Sequence, residues 1–458
     1  MTLISSISGI RGTIGGKPGE GLTPNDIIDY TAAFGSWILK NGRNNIIIVG
    51  RDGRISGPAV SDLVVSTLLL TGLDVLDIGL TTTPTVEMAV PAENAGGGII
   101  ITASHNARQW NALKLLNNKG EFISENDGRS INEIKENRDY TYAELDKIGK
   151  CQQKDYLEYH IEKIMQLPLV NANAIRDRDM KIVVDGINSS GGTAVPKLLR
   201  KLGVKEIVEI NCHPDGKFAH NPEPLPENLY ILASEVKQRK ADLGIAVDPD
   251  VDRLAFVMED GEFYGEEYSL VTVADYVLQQ QKGNTVSNLS STLALRDITE
   301  KYGCEHFAAA VGEVNVVQLM KEKEAVIGGE GNGGIIYPDL HYGRDALVGI
   351  ALFLTSLALS GKSISQLRTH FPNYFISKNK VELRKNDNLD QILEEIREKY
   401  KNYPMINIDG VKIFFDKDWV HLRKSNTESI IRIYAESKSQ TTSENLAKKI
   451  ISDIKALL

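Results

Sequence analysis

The chain has 458 residues, of which 42% are hydrophobic and 25% are charged, a composition typical of folded globular proteins. One hydrophobic core rarely extends beyond about 250–300 residues, so we expect several domains. The formal net charge of −9 disfavours nucleic acid or an anionic membrane as the main partner, because both require a basic surface.

Short β-branched runs alternate with helix-like stretches through the first three quarters of the chain. Continuous apolar strands in this alternation predict α/β layers, with sheets buried on both faces and ligands at the carboxyl ends of the strands. Residues 346–360 form the longest apolar run, which is too short to span a membrane and predicts a buried core helix. The runs that predict strands lie at residues 46–49, 98–102, 181–184, 243–247, 254–258 and 325–328.

We divide the chain into four predicted domains. Residues 1–150, 151–257 and 258–371 are expected to form α/β domains, which could be distant structural repeats. Residues 372–458 differ, because strand-like segments near 378–383, 411–422 and 430–435 are combined with helices at 389–400 and from 443. This pattern predicts a smaller α+β domain with antiparallel pairing.

The first polar loop follows the strand predicted at residues 98–102. It contains Ser104, His105 and Asn106, and Lys114 lies nearby in sequence. A serine that accepts and returns a phosphoryl group needs a cation to offset charge and a base for its proton. A helix N-cap is the alternative interpretation of Ser104 taken alone. The Gly-x-Ser-x-Gly elbow is absent, which argues against an acyl-transfer nucleophile.

The second loop carries three alternating carboxylates, Asp248, Asp250 and Asp252, followed by Arg253. Three such carboxylates repel one another unless a cation lies among them, and an all-oxygen set suits Mg²⁺. An EF-hand is disfavoured because its sixth position would be Arg253 rather than glycine. A phosphatase nucleophile loop or a solvated acidic turn are the other interpretations.

Two later loops could hold a sugar phosphate. The glycine-rich segment at residues 328–334 contains Glu330 and Asn332, which could hydrogen-bond sugar hydroxyls. Residues 423–432 could cradle a phosphate, although an ordinary hairpin turn would account for its central residues. The groups that favour the cradle are Arg423, Ser425, Asn426, Thr427 and Arg432.

Two arginine clusters and the remaining metal-ligand residues are less specific. Arg11 and the segment at residues 50–54 could each supply a cation to an anionic site or form a structural turn. The three cysteines include no Cys-x-x-Cys pair, and the eight histidines show no pairing at short metal-ligand spacing. The amino terminus lacks the pattern of a signal peptide, so a cytoplasmic location is expected.

Taken together, these motifs resemble the α-D-phosphohexomutase family over nearly the whole chain. The Ser104, aspartate, Glu330 and Arg423 segments resemble the family's phosphoserine, metal, sugar and phosphate loops, in that order. The resemblance implies three related mixed-sheet α/β domains and a smaller C-terminal α+β domain around a central cleft. It also implies phosphoryl exchange through phosphorylated Ser104 and a hexose 1,6-bisphosphate, with Mg²⁺ at the aspartates and Ser104.

The resemblance assigns further roles. It places Ser104, His105, Lys114 and Arg11 in catalysis, and it places Arg253 with the sugar and phosphate loops in substrate binding. Gly334 stands where many members carry a histidine, so His341 or Arg344 would have to replace it. The expected partner is a hexose phosphate, bound by a monomer or a homodimer.

Within this family, the opening Gly9-Ile10-Arg11-Gly12 and the chain length favour phosphoglucosamine mutase. The glycine-rich sugar loop leaves phosphomannomutase/phosphoglucomutase as the alternative. A metal-dependent sugar phosphatase is a more remote alternative, because the threonine that usually follows its aspartates is replaced by Asp252. A non-catalytic sugar-phosphate sensor is disfavoured by the retention of Ser104, Lys114 and the aspartates.

Overall fold

The computed structural model describes residues 2–6, 9–41, 44–384, 388–424 and 430–457. These residues divide into two units. The first consists of the residues up to Tyr276 together with Asn332–Arg368, and the second consists of Val277–Gly331 together with the residues from Thr369 onward. The predicted Ser425, Asn426 and Thr427 lie outside the described residues.

The first sheet of the first unit has seven strands. They are β1 (Ile4–Ser6), β2 (Gly9–Thr13), β3 (Ile46–Arg51), β4 (Asp74–Leu80), β5 (Gly97–Ile101), β6 (Trp110–Leu116) and β7 (Cys151–Gln153). Their order is β1-β2-β6-β5-β3-β4-β7, with β3, β4, β5 and β7 parallel and the β6 side antiparallel. Four helices accompany them: α1 (Pro24–Lys40), α2 (Gly57–Leu70), α3 (Thr83–Ala92) and α4 (Glu125–Asn137).

All five residues of β5 are buried, which explains why this strand is continuously apolar rather than alternating. Its carboxyl end leads directly into the Ser104 loop. Because β7 pairs with β4, the first sheet extends to Gln153, past the boundary proposed at residue 150.

The second sheet has four strands and also belongs to the first unit. They are β8 (Lys181–Asp185), β9 (Glu206–Ile210), β10 (Leu243–Val247) and β11 (Leu254–Met258), accompanied by α5 (Leu157–Met165), α6 (Ala172–Arg178), α7 (Gly191–Leu202) and α8 (Tyr230–Arg239). Their order is β11-β10-β8-β9. Since β10 and β11 are antiparallel neighbours, the three aspartates lie in the turn that joins them.

The second unit holds the third set of strands, β12 (Thr285–Asn288), β13 (His306–Ala309) and β14 (Ile327–Glu330), with α10 (Leu293–Lys301) and α11 (Glu313–Glu322). β12 is parallel to both β13 and β14. The strand predicted from residue 325 begins at Ile327, because the Ala325 amide donates to the Met320 carbonyl oxygen (2.9 Å) and closes the turn after α11.

The helix α9 (Glu266–Gln280) begins in the first unit and ends in the second. β15 (Gly334–Ile336), α12 (Ala346–Ser360) and α13 (Ile364–Arg368) return to the first unit. α12 is the predicted apolar core helix. Its N-cap is Asp345, whose Oδ1 accepts the amides of Leu347 (2.8 Å) and Val348 (3.3 Å).

The C-terminal part of the second unit is an antiparallel sheet covered by two helices. Its elements are β16 (Phe375–Glu382), α14 (Leu389–Lys399), β17 (Met405–Ile406), β18 (Val411–Phe415), β19 (Asp418–Lys424), β20 (Ile430–Ser437) and α15 (Gln440–Leu457). The strand order is β16-β20-β19-β18-β17. α14 and α15 bury one apolar face, represented by Ile396 and Ile454, against the sheet.

The predicted fold class is therefore confirmed. Three mixed-sheet α/β domains are followed by a smaller C-terminal domain with an antiparallel sheet. Within the described part of the chain, no helix has both the length and the apolar character required to cross a membrane.

Candidate active site

Ser104 lies at the carboxyl end of β5 in a strained conformation. Its φ of 47° places a non-glycine residue in the left-handed region, and the residue is 7% exposed. The Ser104 hydroxyl donates to Asp248 Oδ2 at 2.6 Å, and its Oγ lies 3.4 Å from His105 Nδ1. The helix N-cap alternative is wrong, since no helix begins at this loop and β6 follows it.

The buried guanidinium group of Arg54 stabilises the backbone of the Ser104 loop. Arg54 donates to the carbonyl oxygens of Ser104 (2.5 Å), Asn106 (2.6 Å), Ala107 (2.9 Å) and Trp110 (2.9 Å). Its Nε pairs with Asp52 Oδ2 at 3.1 Å. Of the two interpretations of residues 50–54, the structural turn is therefore confirmed for Arg54, whose hydrogen bonds fix the backbone around Ser104.

The three aspartates converge opposite Ser104. Asp248 and Asp252 are fully buried and Asp250 is 1% exposed, and one carboxylate oxygen of each lies within 4.8 Å of the others. The turn between them is also strained, since Val251 has a φ of 64°, an outlier for a β-branched residue. Two loops with unfavourable backbone conformations therefore meet at the Ser104–Asp248 hydrogen bond, as functional sites often do.

Two cations hold the aspartates in place. Lys114 Nζ lies 2.8 Å from Asp250 Oδ2 and 3.5 Å from Asp252 Oδ2. Arg344 Nη2 donates to Asp252 Oδ2 at 2.8 Å. Arg344 follows β15, and a Cβ at Gly334 would lie 2.4 Å from Arg344 Cδ. Gly334 thus makes room for Arg344, and of the two residues considered as replacements for the family's histidine, Arg344 contacts this cluster.

Burial and mutual repulsion set the charge states of the cluster. Burial, together with the neighbouring Asp252 and Asp250, raises the pKa of Asp248 well above its ordinary value. Burial also opposes ionisation of Asp250, but the charge and hydrogen bond of Lys114 outweigh it and lower the pKa of Asp250. Burial likewise opposes the charged form of Lys114, and the two aspartates raise its pKa. Lys114 therefore stays a cation.

The aspartate cluster fits a divalent metal ion. Asp250 Oδ1 and Asp252 Oδ1 are buried, and no hydrogen-bond donor of the described residues reaches either oxygen. Such oxygens are costly to bury without a partner, and a hard cation bound among all three carboxylates would provide one. A metal loop is therefore favoured over the solvated acidic turn.

A second, positive group of residues surrounds His105. Loss of hydration, followed by the charges of Arg253, Arg11 and Arg344, lowers the pKa of His105 well below its ordinary value. Arg253 in turn pairs with Glu223 at 3.0 Å, and Arg11 lies on β2 with its Nη1 3.5 Å from Asn106 Oδ1. A neutral imidazole among three guanidinium groups suits an anionic ligand.

The sugar-loop residues fall in different units. Asn332, in the first unit, accepts the amide of Gly334 at 3.2 Å through Oδ1. Glu330, in the second unit, is 4% exposed, and its Oε1 accepts from Asn288 Nδ2 (2.8 Å) and from the amide of Gly312 (3.1 Å). These bonds fix the Glu330 side chain at the carboxyl end of β14.

The phosphate-loop arginines face each other across two strands of the second unit. Arg423 on β19 is the register partner of Arg432 on β20, and the stretch of sequence between them includes residues 425–429, which the structure does not describe. Arg423 Nε lies 3.3 Å from Asp409 Oδ2. Two guanidinium groups side by side can both donate hydrogen bonds to one anion.

The sequence motifs did not identify three residues of the site, Thr83, Thr102 and Asp52. Thr83 donates to Asp250 Oδ2 at 2.6 Å, and Thr102 donates to Asp52 Oδ2 at 2.6 Å while accepting the Ser104 amide at 2.9 Å. Asp52 itself is buried, which raises its pKa. Only the position of these residues at strand ends hinted at a role, since threonines are frequent at such turns for purely structural reasons.

Four family models match consecutive parts of the chain. They describe phosphoglucomutase/phosphomannomutase alpha/beta/alpha domain I at residues 4–141, domain II at 156–261, domain III at 266–374, and the C-terminal domain at 380–452. Together they cover most of the chain.

Individual relatives match over nearly their whole length. A protein named "Phosphoglucomutase/phosphomannomutase" from Thermococcus kodakarensis is 38% identical, over 94% of this chain and 94% of the relative. A protein named "Probable phosphoglucosamine mutase" from Methanopyrus kandleri is 33% identical, over 98% and 97%. The crystal structure of a phosphoglucomutase/phosphomannomutase family protein from Burkholderia thailandensis is 25% identical, has a TM-score of 0.85, and matches 98% of this chain and 96% of its own.

Proposed function

Because the chain belongs to the phosphoglucomutase/phosphomannomutase family of phosphohexomutases, we propose that it interconverts a hexose 6-phosphate and a hexose 1-phosphate through phosphorylated Ser104. A hexose 1,6-bisphosphate is the intermediate and activator. The observation that carries this proposal is the 2.6 Å hydrogen bond between the strained Ser104 hydroxyl and the buried Asp248 carboxylate.

The step at Ser104 exchanges one oxygen–phosphorus bond for another. When the bisphosphate returns a phosphoryl group, the bond to Ser104 Oγ forms as the bond to the sugar oxygen breaks. The hydroxyl proton of Ser104 needs an acceptor, and the released sugar oxygen needs a proton. Neutral His105, whose Nδ1 lies 3.4 Å from Ser104 Oγ, can take up the first proton and return it to the sugar oxygen. Lys114 is the less suitable acceptor, because its raised pKa keeps it protonated against Asp250.

Asp248, Asp250 and Asp252, together with an oxygen of the phosphorylated Ser104, would hold Mg²⁺, which neutralises charge on a transferring phosphoryl group when bound. Lys114 and Arg344 keep the carboxylates aligned without competing for the two buried oxygens that lack a donor. Arg11 and Arg253 supply positive charge beside His105 for the phosphoryl group itself.

The remaining residues are proposed to hold the sugar and the phosphate that is not reacting. Arg423 and Arg432, with Ser425, Asn426 and Thr427 between them, would bind that phosphate through guanidinium and hydroxyl donors. Glu330 and Asn332 would bind sugar hydroxyls. The partner is then a hexose phosphate alone, and we expect a monomer or a homodimer in the cytoplasm.

Glucosamine phosphate is the substrate we propose first, because of the segment Gly9–Gly12 and the chain length. The 33% identical relative from Methanopyrus kandleri, named "Probable phosphoglucosamine mutase", supports this choice. The second candidate is glucose or mannose phosphate. It is favoured by the glycine-rich loop at residues 328–334 and by the relative at 38% identity. Discrimination depends on a few hydrogen bonds to one amine or hydroxyl.

A coupled mutase assay tests both the proposed reaction and the proposed sugar preference. Glucosamine, glucose and mannose 6-phosphates are compared, each with catalytic amounts of its 1,6-bisphosphate and with magnesium. We expect isomer formation with all the phosphate retained, and the highest kcat/KM for glucosamine phosphate. Net phosphate release without isomer would favour the phosphatase alternative, and no turnover of any sugar by Ser104-phosphorylated protein would refute the mutase.

A further inference from the structure

A second cluster of metal-ligand side chains lies in the first unit, apart from the three aspartates. His160 Nε2 on α5 lies 2.9 Å from Asp345 Oδ2, and His341 Nε2 lies 3.4 Å from the same oxygen. The three atoms are all within 4.8 Å of one another. The histidines are 181 positions apart in the sequence, so no short-spacing motif could have revealed them.

The outer nitrogen of each imidazole ring has its own partner. His160 Nδ1 lies 3.0 Å from Thr85 Oγ1, and that hydroxyl lies 2.7 Å from Thr82 Oγ1 and can donate to it. His341 Nδ1 lies 3.4 Å from Glu87 Oε2. The Thr85 hydroxyl can donate to His160 Nδ1 or accept from it, so its contact is compatible with either tautomer of His160. Metal-binding histidines are oriented in this way, by a hydroxyl or a carboxylate on the nitrogen that does not bind.

Without an ion, each Nε2 can donate its proton to Asp345 Oδ2. The Asp345 carboxylate cannot rotate away, because its Oδ1 accepts two backbone amides at the start of α12. His160 and Asp345 are fully buried, so water does not compete for these contacts. A divalent cation among the three atoms would displace the Nε2 protons and take the two Nε2 lone pairs and the Asp345 oxygen as ligands.

We propose that His160 Nε2, His341 Nε2 and Asp345 Oδ2 bind a divalent ion of the zinc class. Ligand atoms about 2.0–2.1 Å from a tetrahedral zinc ion lie roughly 3.3 Å from one another, close to the two distances found here. Mixed imidazole and carboxylate ligands suit zinc better than Mg²⁺, which prefers oxygen alone.

The site also has an entry path and room for a fourth ligand. His341 is 12% exposed and lines a cavity of about 550 Å³, together with Asp339, Lys163 and Tyr159. A water molecule from this cavity can complete the coordination. The ion would fasten α5 to the start of α12, next to Arg344, which donates to Asp252. Its role would thus be structural, supporting the loop that carries Arg344.

Zinc retention by the full chain, without a polyhistidine tag, tests this proposal. The protein is stripped with a chelator, loaded with zinc, and separated from free metal in excess magnesium, which occupies the aspartate cluster. Metal content is measured by mass spectrometry and the thermal midpoint by scanning fluorimetry. We expect about one zinc per chain and a higher thermal midpoint with zinc than without it.

Variants locate the ion. Asp345→Asn keeps the Oδ1 cap of α12 but replaces Oδ2 by a nitrogen that cannot bind metal, and His341→Gln removes the partly exposed ligand. Both should retain roughly a tenth of the zinc or less. His213→Gln, at an exposed histidine, and Asp250→Asn should retain all of it. Absence of zinc from the unsubstituted protein, or zinc lost from Asp250→Asn and kept by His341→Gln, would overturn the proposal.

Discussion

Ser104 and Val251 both have positive φ values, and the structure shows what maintains these unfavourable conformations. Around Ser104 the support is Arg54, whose guanidinium group donates hydrogen bonds to four carbonyl oxygens and one carboxylate. Around Val251 it is the Asp248 carboxylate, whose Oδ1 accepts the amides of Asp252 and Arg253 at 3.1 Å. Each loop is therefore shaped by a buried charged group before any ligand binds.

Arg54→Lys should disorganise the Ser104 loop without removing a charge. A lysine ammonium has three donors and cannot reproduce the planar fork that serves four carbonyl oxygens. We expect unfolding free energy to fall by about 3 kcal/mol, because Asp52 and the carbonyl oxygens lose partners, and kcat to fall at least roughly tenfold. Urea unfolding and steady-state kinetics measure the two effects. Arg108→Lys, on the exposed part of the same loop, is the matched control, and equal effects of both changes would contradict the role of Arg54.

Asp250→Asn should slow the chemical step more than it weakens substrate binding. The change removes one of the three charges proposed to hold the metal and leaves Lys114 with Asp252 alone. We expect kcat to fall by about a hundredfold and the magnesium concentration for half-maximal rate to rise, with KM nearly unchanged. Magnesium titration of the rate tests this. Exposed Asp260→Asn is the control, and an unchanged magnesium requirement in Asp250→Asn would argue against metal binding there.

Among the elements of the second unit, the antiparallel strands β19 and β20 bring Arg423 and Arg432 into register. The Asp409 carboxylate pairs with Arg423 at 3.3 Å. Strand pairing thus fixes the two guanidinium groups of the proposed phosphate site in the second unit, as the β10–β11 turn fixes the three aspartates in the first.

Arg423→Ala should mainly raise the KM for the hexose phosphate. One guanidinium donor is lost from the proposed phosphate cradle, and we expect an increase of roughly tenfold or more with a smaller change in kcat. Stability should change by less than about 1 kcal/mol, because the lost Asp409 pair and the relieved repulsion oppose each other. Lys424→Ala, at the exposed next residue on the other face of β19, is the control. Equal KM increases in both variants would indicate a general charge effect instead.

His421 on β19 should make the second unit sensitive to acid. Its Nε2 donates to the Asp409 carbonyl oxygen at 2.7 Å, and its Nδ1 lies 2.9 Å from Ser290 Oγ. Burial, aided by the charges of Lys412 and Arg423, lowers the pKa of His421 to about 4. Because this folded-state pKa is below the unfolded value of about 6.5, the stabilisation is complete above pH 6.5 and is lost as pH falls toward 4.

We therefore expect His421→Gln to flatten the acid dependence of stability. Between about pH 7 and pH 5 the unsubstituted protein should lose about 2 kcal/mol more unfolding free energy than the variant. Urea unfolding at both pH values measures the difference, with His213→Gln as the exposed-histidine control. Parallel losses in the unsubstituted protein and His421→Gln would contradict a neutral, buried His421.

For the whole molecule, sequence patterns predicted the features that depend on local periodicity. The strand before Asp248 is β10 at Leu243–Val247, and the apolar run at residues 346–360 is α12, because burial on all sides leaves a continuous signal in both. The order of the loops also predicted the family. Ser104 and the aspartates lie close together because each follows a strand whose carboxyl end is at an edge of its sheet.

What the patterns could not predict depends on contacts distant in sequence. For Arg54 the sequence left two equal interpretations, which its bonds to residues 104–110 decide, and for Thr83 it offered only a position after a strand. His160 and His341 are brought together only by the packing of α5 against the segment before α12. Such contacts are determined by tertiary packing, which leaves no period or motif in the chain.

The central claim is that Ser104 carries the phosphoryl group that is exchanged with the sugar. The direct measurement is a single turnover with protein labelled by radioactive phosphate and mixed with unlabelled hexose 6-phosphate and magnesium, with Ser104→Ala as control. We predict that the label leaves Ser104 and appears in hexose bisphosphate and hexose 1-phosphate, while Ser104→Ala accepts no label at all. Label that stays on the protein while isomer forms, or that is released as inorganic phosphate, would contradict this account.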